Sequence, residues 1–244
     1  ESQVRQDDSL IADPGDRFYI VMTNPPFGVK STVKIFSEAG KVEKDKISYE
    51  RDDFWTTSSN KQLNFVQHVK TILKVNGKCA IVVPDNVLFE GGDGEIVRKK
   101  LLEQVDLHTM LRLPTGIFYA GGVKANVLFF DKKPAREDDK PWTEKVWIYD
   151  LRTNKHFTQK EKKMTRADLD DFVACYNAKN IQERKKTERF KSFSYNEIIK
   201  RDKTSLDIFW LKDESLIDLE NLPEPHVIAD EIADNLQSAL DSVN

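Results

Sequence analysis

Short apolar runs alternate with helical patterns through the first half of the chain. Each run ends at proline or at polar residues, which is typical of strands buried in a sheet. Between the runs, apolar residues recur every three or four positions, which predicts amphipathic helices. The order strand, helix, strand, helix, strand, strand predicts an α/β fold. The predicted strands are Phe18–Met22, Cys79–Val83, Leu107–Leu113 and Ala125–Phe130, and the helical apolar positions are Leu63, Val66, Val69, Ile72 and Leu73, then Val97, Leu101 and Val105.

Turn residues refine this pattern. Asn76-Gly77 follows the first predicted helix and is predicted to end it, since glycine often lies just beyond a helix C-terminus. Gly121-Gly122 predicts the turn of a terminal hairpin, so that the last strand runs antiparallel beside parallel ones. Asp45 to Asn60 is polar and predicts a surface loop near the end of the first strand. The pattern as a whole predicts the second half of a doubly wound, Rossmann-like sheet.

The second half of the chain predicts a helical extension. A further strand, Val146–Tyr149, precedes a helix for which Thr165 and Asp168 form a capping box. Residues 223–244 place apolar side chains at alternating spacings of four and three, which is typical of a helix packed on a partner. We therefore predict three segments: a domain over 1–151, an extension over 152–222 and an amphipathic tail helix over 223–244.

Charge is distributed unevenly along the chain. Residues 152–203 contain 15 Lys and Arg against 8 Asp and Glu, whereas residues 204–244 contain 1 against 10. Long blocks of one sign indicate different partners for different segments. The basic block, with Arg184-Lys185-Lys186 and Arg189, fits either contact with DNA phosphates or a solvated helix face.

The amino-acid composition indicates a folded globular protein without a membrane span. Hydrophobic residues make up 39% of the chain and charged residues 32%, as in a folded globular domain. No apolar stretch reaches the length of a membrane span and no signal peptide is recognisable, so we expect a cytoplasmic protein without a membrane partner. The histidines and the two cysteines show no ligand spacing, and we expect no metal site.

Asn24-Pro25-Pro26-Phe27 is the segment whose residue types fit a specific reaction. It follows the first predicted strand, at the end where open α/β sheets place their active sites. The Asn24 side chain and the Pro25 main-chain carbonyl can each accept a hydrogen bond from an exocyclic amine, which orients the nitrogen lone pair for attack on a methyl group. The prolines hold these acceptors in place in advance, and Phe27 offers a face on which a flipped base can stack. The alternative interpretation is a simple turn after a strand.

The segment Thr23 to Gly28 resembles the catalytic motif of amino-methylating methyltransferases, with phenylalanine in the place typical of adenine methylases of type I restriction-modification systems. The resemblance extends over roughly Asp8 to Pro134. It includes Gly77 to Pro84, Leu88-Phe89 before a glycine cluster, Leu111 to Phe118 and Val123 to Phe130, with a looser similarity in Phe193 to Ile199.

This resemblance implies a methylation subunit that transfers a methyl group from S-adenosylmethionine to adenine in DNA, paired with a specificity subunit and often with a restriction subunit. It implies catalytic roles for Asn24, Pro25, Pro26 and Phe27. Asp8 matches the end of a motif near the cofactor adenine, or is simply a solvated residue. The family's glycine-rich cofactor loop lies upstream of Asn24, where this chain has only Gly15. We therefore expect the C-terminal part of such a subunit, with an incomplete cofactor site and no activity by itself.

Three alternatives stay open. Related motifs serve methylation of protein glutamine or of RNA amino groups, and a chain without a full cofactor site could be a non-catalytic assembly module. Gly91-Gly92-Asp93-Gly94 precedes a helix as a phosphate-binding loop would, although the spacing of known nucleotide motifs is absent and a surface loop near the active site is the simpler interpretation.

Overall fold

The structure is a computed structural model that describes residues 4, 6–28, 32–36, 42–46, 48–118, 122–159 and 161–213, with the backbone alone for 32–36 and 42–46. Its strands are β1 (Phe18–Thr23), β2 (Thr32–Phe36), β3 (Val42–Lys46), β4 (Leu73–Pro84), β5 (Val105–Arg112), β6 (Ala125–Lys132), β7 (Lys145–Asp150) and β8 (Phe190–Ser194). Its helices are α1 (Lys61–Ile72), α2 (Asn86–Phe89), α3 (Asp93–Gln104), α4 (Asp170–Tyr176) and α5 (Tyr195–Ile199).

Six strands form one sheet in the order β1-β4-β6-β5-β7-β8, and β2 and β3 form a separate antiparallel pair. β1 and β4 run parallel, and the Leu113 N–H donates to the Ala125 carbonyl at 3.0 Å, which joins the end of β5 to the start of β6. The predicted α/β fold with a mixed sheet is confirmed. β6 nevertheless lies inside the sheet, because it is inserted between β4 and β5, and β7 and β8 extend the sheet beyond β5. Gly121 of the predicted hairpin turn lies outside the described residues.

Strand β1 is the edge of the sheet among the described residues, and it is exposed. Tyr19 and Ile20 are each 65% exposed, and Met22 is 79% exposed. The prediction of a buried first strand is therefore wrong for this chain. An apolar sequence indicates that a strand favours burial, but it does not show whether other residues of the same chain pack against that strand. An open edge strand of this kind presents unpaired main-chain groups together with its apolar side chains.

Helix α1 ends earlier than the turn residues suggest. Its last residue is Ile72, and the Leu73 N–H donates to the Val69 carbonyl as strand β4 begins. Asn76 has φ 65° and lies in an irregular stretch of β4, where the pairing with β1 jumps from Leu73 to Lys78. The prediction that Asn76-Gly77 ends the helix is therefore wrong. A residue that adopts positive φ serves a strand bulge as readily as a helix end.

The predicted capping box is present: the Thr165 side chain pairs with the N–H of Asp168, and the Asp168 carboxylate accepts the Thr165 N–H. The structure leads from there through a short 3₁₀ turn into α4. The ring of Phe172, on α4, lies edge-on to Tyr149 with centroids 5.4 Å apart, and Phe190 stacks on Trp147 at 4.7 Å. These aromatic contacts hold α4 and β8 against β7.

The contacts divide the chain into two compact units that are discontinuous in sequence. One contains residues 1–110, 127–146 and 193–208, and the other contains residues 111–126, 147–192 and the described residues of 209–244. The division into segments 1–151, 152–222 and 223–244 stays a prediction about domain organisation. The predicted tail helix over 223–244 lies outside the described residues.

Candidate active site

The segment Asn24 to Gly28 begins where β1 ends. Thr23, the last residue of β1, pairs with Ile81 of the parallel strand β4, whose own carboxyl end is Pro84. The segment that follows β1 therefore lies beside the segment that follows β4. This is the edge at which open α/β sheets bind their ligands.

The predicted catalytic residues differ in exposure. Asn24 and Pro26 are exposed, Pro25 is buried, and Phe27 is 37% exposed. A buried proline between exposed neighbours anchors the backbone, because its ring packs inward while its φ angle is fixed. Asn24 and Phe27 thus belong to one short, anchored segment that presents an amide and an aromatic ring on the surface.

The start of helix α1 is hydrogen-bonded to the segment Asn24 to Gly28. The Gln62 side-chain amide donates a hydrogen bond to the Gly28 carbonyl at 2.5 Å, and Gln62 is buried. Its Oε1 atom is also buried and has no hydrogen-bond partner in the described part of the chain. A buried acceptor without a partner lowers the stability of the fold by about 1–3 kcal/mol. Asn60 caps the helix by accepting the N–H of Gln62 at 3.0 Å. No sequence motif pointed to Gln62.

The same helix start is joined to the segment after β4. The Asn60 amide donates to Glu90 Oε2 at 2.8 Å, and the Asn86 amide donates to the same oxygen at 3.3 Å. Asn60 therefore uses its carbonyl oxygen for the helix cap and its amide for Glu90. Residues 24–28, 60–62 and 86–90 form one hydrogen-bonded cluster, which we call the sheet-edge site.

Asp8 lies in the segment before β1, and its side chain is held by hydrogen bonds from two residues of the chain. Its carboxylate accepts the Leu10 N–H at 3.0 Å and the Tyr49 hydroxyl at 2.9 Å. Tyr49 in turn forms an isolated β-bridge with Ser58, two residues before Asn60. Leu10, Tyr49 and Phe54 are buried together, so this part of the predicted surface loop over residues 45–60 forms a small core.

Arg51 braces that small core against helix α1. Its guanidinium donates to both carboxylate oxygens of Asp53, at 2.9 and 2.7 Å, and to the Leu10 carbonyl at 3.3 Å, and it lies 3.1 Å from His68 Nδ1. Burial and the Arg51 charge lower the pKa of His68. Burial acts to raise the pKa of Asp53, but the hydrogen bonds from Arg51 and Thr71 lower it overall.

The described residues supply only part of a site for S-adenosylmethionine. A doubly wound sheet binds such a cofactor at a glycine-rich turn between a strand and a helix, and no glycine-rich turn of this kind follows a strand among the described residues beside β1, the exposed edge. Among the described residues before β1, Gly15 is the single glycine, and the Asp8 carboxylate is engaged by Leu10 and Tyr49. These residues do not fit a whole cofactor.

Two other predicted features, the glycine cluster at residues 91–94 and the basic block, make contacts that stabilise the fold. Asp93 and Gly94 open helix α3, while Gly92, with φ 58°, makes the turn before it. In the basic block, Arg184 donates to the Tyr176 carbonyl and Arg189 to the carbonyls of Asp150 and Thr153, and these interactions stabilise their own unit. Residues 184–187 are not helical, so the solvated helix face is wrong for them. Contact of the basic block with DNA phosphates stays a prediction.

The part of the chain that the structure describes contains neither a metal site nor a membrane-spanning helix. No group of three His, Cys, Asp or Glu side chains there is arranged to hold a metal ion. Each described helix is too short or too polar to cross a lipid bilayer.

Comparison with known proteins agrees with this geometry. The family model described as N-6 DNA Methylase matches residues 1–208. The chain is 40% identical to the methylase subunit of the type I restriction enzyme StySJI of Salmonella typhimurium over 91% of this chain, and 40% identical to that of EcoKI of Escherichia coli K12 over 93%. It covers only 45% and 46% of those two proteins.

Solved structures give the same picture. The crystal structure of the EcoKI M protein matches with a TM-score of 0.68 and 35% identity, over 97% of this chain and 52% of that one. A structure from a study of assembly and conformational transition in the type I restriction-modification system matches with a TM-score of 0.66 and 25% identity, over 99% and 47%. The chain thus spans about half the length of the relatives it matches. With a family model that matches residues 1–208, it belongs to the N-6 DNA methylase family.

Proposed function

We propose that this chain forms the target-base side of a DNA adenine methyltransferase active site, in the modification subunit of a type I restriction-modification system. The observation that carries the proposal is the sheet-edge site. An exposed Asn24 and a partly exposed Phe27 flank two prolines at the carboxyl end of β1, and Gln62 fixes the carbonyl of Gly28 directly after them. The family membership and the names of the type I relatives support this assignment.

The chemistry follows from the acceptors. The lone pair of the adenine amine is delocalised into the ring, so the nitrogen is a poor nucleophile until its N–H groups are drawn into hydrogen bonds. Asn24 Oδ1 and the Pro25 carbonyl accept those two bonds and orient the amine. Because the prolines fix the backbone beforehand, little reorganisation is needed when the base arrives. Phe27 stacks on the flipped base.

S-adenosylmethionine supplies the methyl group in this proposal, and most of the residues that enclose it belong to parts of the subunit other than the described ones. Asp8 is the one residue here that we propose near the cofactor, and its carboxylate is already oriented by Tyr49. DNA is the substrate. A specificity subunit, with or without a restriction subunit, is the proposed protein partner. We propose that residues 223–244 form a helix that docks on the specificity subunit, or otherwise on its own domain, because an isolated helix of this length is marginal in water.

The test is adenine methylation of DNA by the full-length subunit assembled with its specificity subunit. Asn24→Ala removes one aimed hydrogen-bond group and should lower kcat by about 10²–10³, by analogy with removal of one oxyanion-hole donor. Asn24→Asp keeps an acceptor oxygen and should retain part of the activity. Asn180→Ala, which removes another exposed asparagine, should leave the rate unchanged.

Three results would contradict the proposal. An Asn24→Ala enzyme with more than half of the normal turnover would remove Asn24 from the active site. Methyl transfer to RNA or to protein glutamine in place of DNA would assign the amine to another substrate. Failure of the complete subunit to bind radiolabelled S-adenosylmethionine would indicate an assembly module.

A further inference from the structure

A second concave site lies away from the sheet-edge site. A cleft of about 480 Å³ opens beside the start of β4, whereas the sheet-edge site lies at the carboxyl end of that strand. Its volume falls in the range of small-molecule pockets, roughly 300–1,000 Å³. Six lining residues are cationic and two, Glu103 and Asp139, are acidic. The cations are Lys70, Lys100, Lys132, Lys133, Arg136 and Lys140.

Two of the six cations have no carboxylate partner among the described residues. Lys100 pairs with Glu103 at 2.9 Å, but Lys70 and Lys132 form no such pair. The Lys70 ammonium lies 5.1 Å from the centre of the Trp55 ring. Lys132 donates to the main-chain carbonyls of Thr71 and Leu73 at 3.3 and 2.7 Å, at the C-terminal end of α1.

These two ammonium groups repel each other inside the cleft. Burial lowers the pKa of Lys70, and burial together with the Lys70 charge lowers the pKa of Lys132. Two like charges held on the wall of a concave surface focus a positive potential there. An anion between them would neutralise that repulsion. Asp53 attracts Lys70 and Asp13 attracts Lys132, but neither carboxylate forms an ion pair with these lysines.

The rest of the lining favours a ligand with an apolar part beside its charge. Val75, Pro134 and Trp142 form an uncharged wall, and the Arg136 guanidinium lies over the Trp142 ring at 4.4 Å from its centre. The Trp142 indole donates to the Pro134 carbonyl at 2.9 Å, which fixes the ring. We propose that this cleft binds a phosphate group between Lys70 and Lys132, carried by a nucleotide or by a nucleic-acid backbone.

The experiment is calorimetric titration of the full-length subunit with three probes: inorganic phosphate, ATP and a short DNA duplex without target sites. Lys70→Gln removes one of the two ammonium groups, and Lys70→Glu reverses its charge. Lys99→Gln is the matched control, because Lys99 is a lysine of α3 that pairs with Glu95 and does not line the cleft. Arg136→Gln is a second test on a different segment. Circular dichroism establishes that each variant is folded.

We expect at least one probe to bind with an affinity that falls about tenfold in Lys70→Gln, since a charge-assisted contact to phosphate is lost, and that falls further in Lys70→Glu. Lys99→Gln should bind as the unmodified subunit does. Loss confined to ATP identifies a nucleotide site, and loss confined to the duplex identifies a backbone contact. Equal affinity of Lys70→Gln and the unmodified subunit for every probe, or no binding of any probe, would overturn the proposal. The result does not depend on the identity of the methylated base.

Discussion

The Gln62 side-chain amide donates to the Gly28 carbonyl at 2.5 Å, and so joins the start of helix α1 to the segment that carries Asn24. A buried hydrogen bond of this kind stabilises by about 0.5–1.5 kcal/mol, but its position gives it a second role. It fixes the backbone four residues after Asn24, so we propose that Gln62 is a positioning residue for the sheet-edge site.

Gln62→Leu keeps the size of the side chain and removes the amide. In the full-length subunit we expect kcat for DNA methylation to fall about tenfold with little change in KM, because a small misplacement of reacting groups lowers rates strongly. Gln62→Glu should be worse, since a buried carboxylate would face the Gly28 carbonyl. Gln182→Leu is the control, as Gln182 is exposed and lies outside the sheet-edge site. A purely structural role would lower thermal stability in Gln62→Leu and leave kcat unchanged.

Phe27 offers the surface on which a flipped adenine would stack. Phe27→Ala should lower kcat/KM for DNA methylation by the loss of about 1–3 kcal/mol of stacking, whereas Phe27→Tyr should have a mild effect because the ring stays. Phe209→Ala is a matched control, since Phe209 is 59% exposed and lies outside the sheet-edge site. Equal losses in Phe27→Ala and Phe209→Ala would show that Phe27 has no special contact with the base.

The exposed faces of β1 predict how the 244-residue chain behaves when it is expressed alone. Ile20 and Met22 present apolar surface at an open sheet edge, which favours pairing with another copy. Sedimentation velocity should show self-association that increases with concentration. The double variant Ile20→Glu and Met22→Lys should shift the chain towards monomer, because charges on an edge strand oppose pairing. A monodisperse unmodified chain at high concentration would contradict this.

The same chain should bind S-adenosylmethionine weakly. Calorimetric titration of the 244 residues should yield no measurable heat under conditions in which the full-length subunit binds, since the cofactor requires a glycine-rich turn and an acidic residue that Asp8 alone does not replace. A dissociation constant in the low micromolar range would mean that the cofactor site has been misassigned. The turn at Gly91-Gly92 would then be the first place to probe by substitution.

The Arg51 brace predicts a loss of stability in acid. Because the pKa of His68 is lowered on folding, the unfolded chain binds more protons below the ordinary value of about 6.5, and stability falls as pH falls through that window. The lowered pKa of Asp53 adds a second loss, below about pH 4. Urea unfolding should therefore show less stability at about pH 5 than at about pH 7. His68→Gln should reduce that difference and His156→Gln should not.

Much of the fold was readable from local patterns. Apolar runs with proline stops placed β1, β5 and β6 to within a few residues, because a strand's side-chain alternation and its breakers are properties of neighbouring residues. The capping box at Thr165 is equally local. Asn24-Pro25-Pro26-Phe27 was recognisable as a candidate site for the same reason, since its chemistry is carried by consecutive residues.

Tertiary structure decided what depends on distant partners. Asn76 adopts a positive φ in a strand bulge and not at a helix end, because the pairing of β4 with β1 sets the register there. Gln62 gained its role only when α1 packed under the residue after Phe27, 34 positions away along the chain. Lys70 and Lys132 line the same cleft, although helix α1 and strand β6 are far apart in sequence. Hydrophobic pattern and turn chemistry specify elements, whereas the neighbours of a side chain follow from how the elements pack.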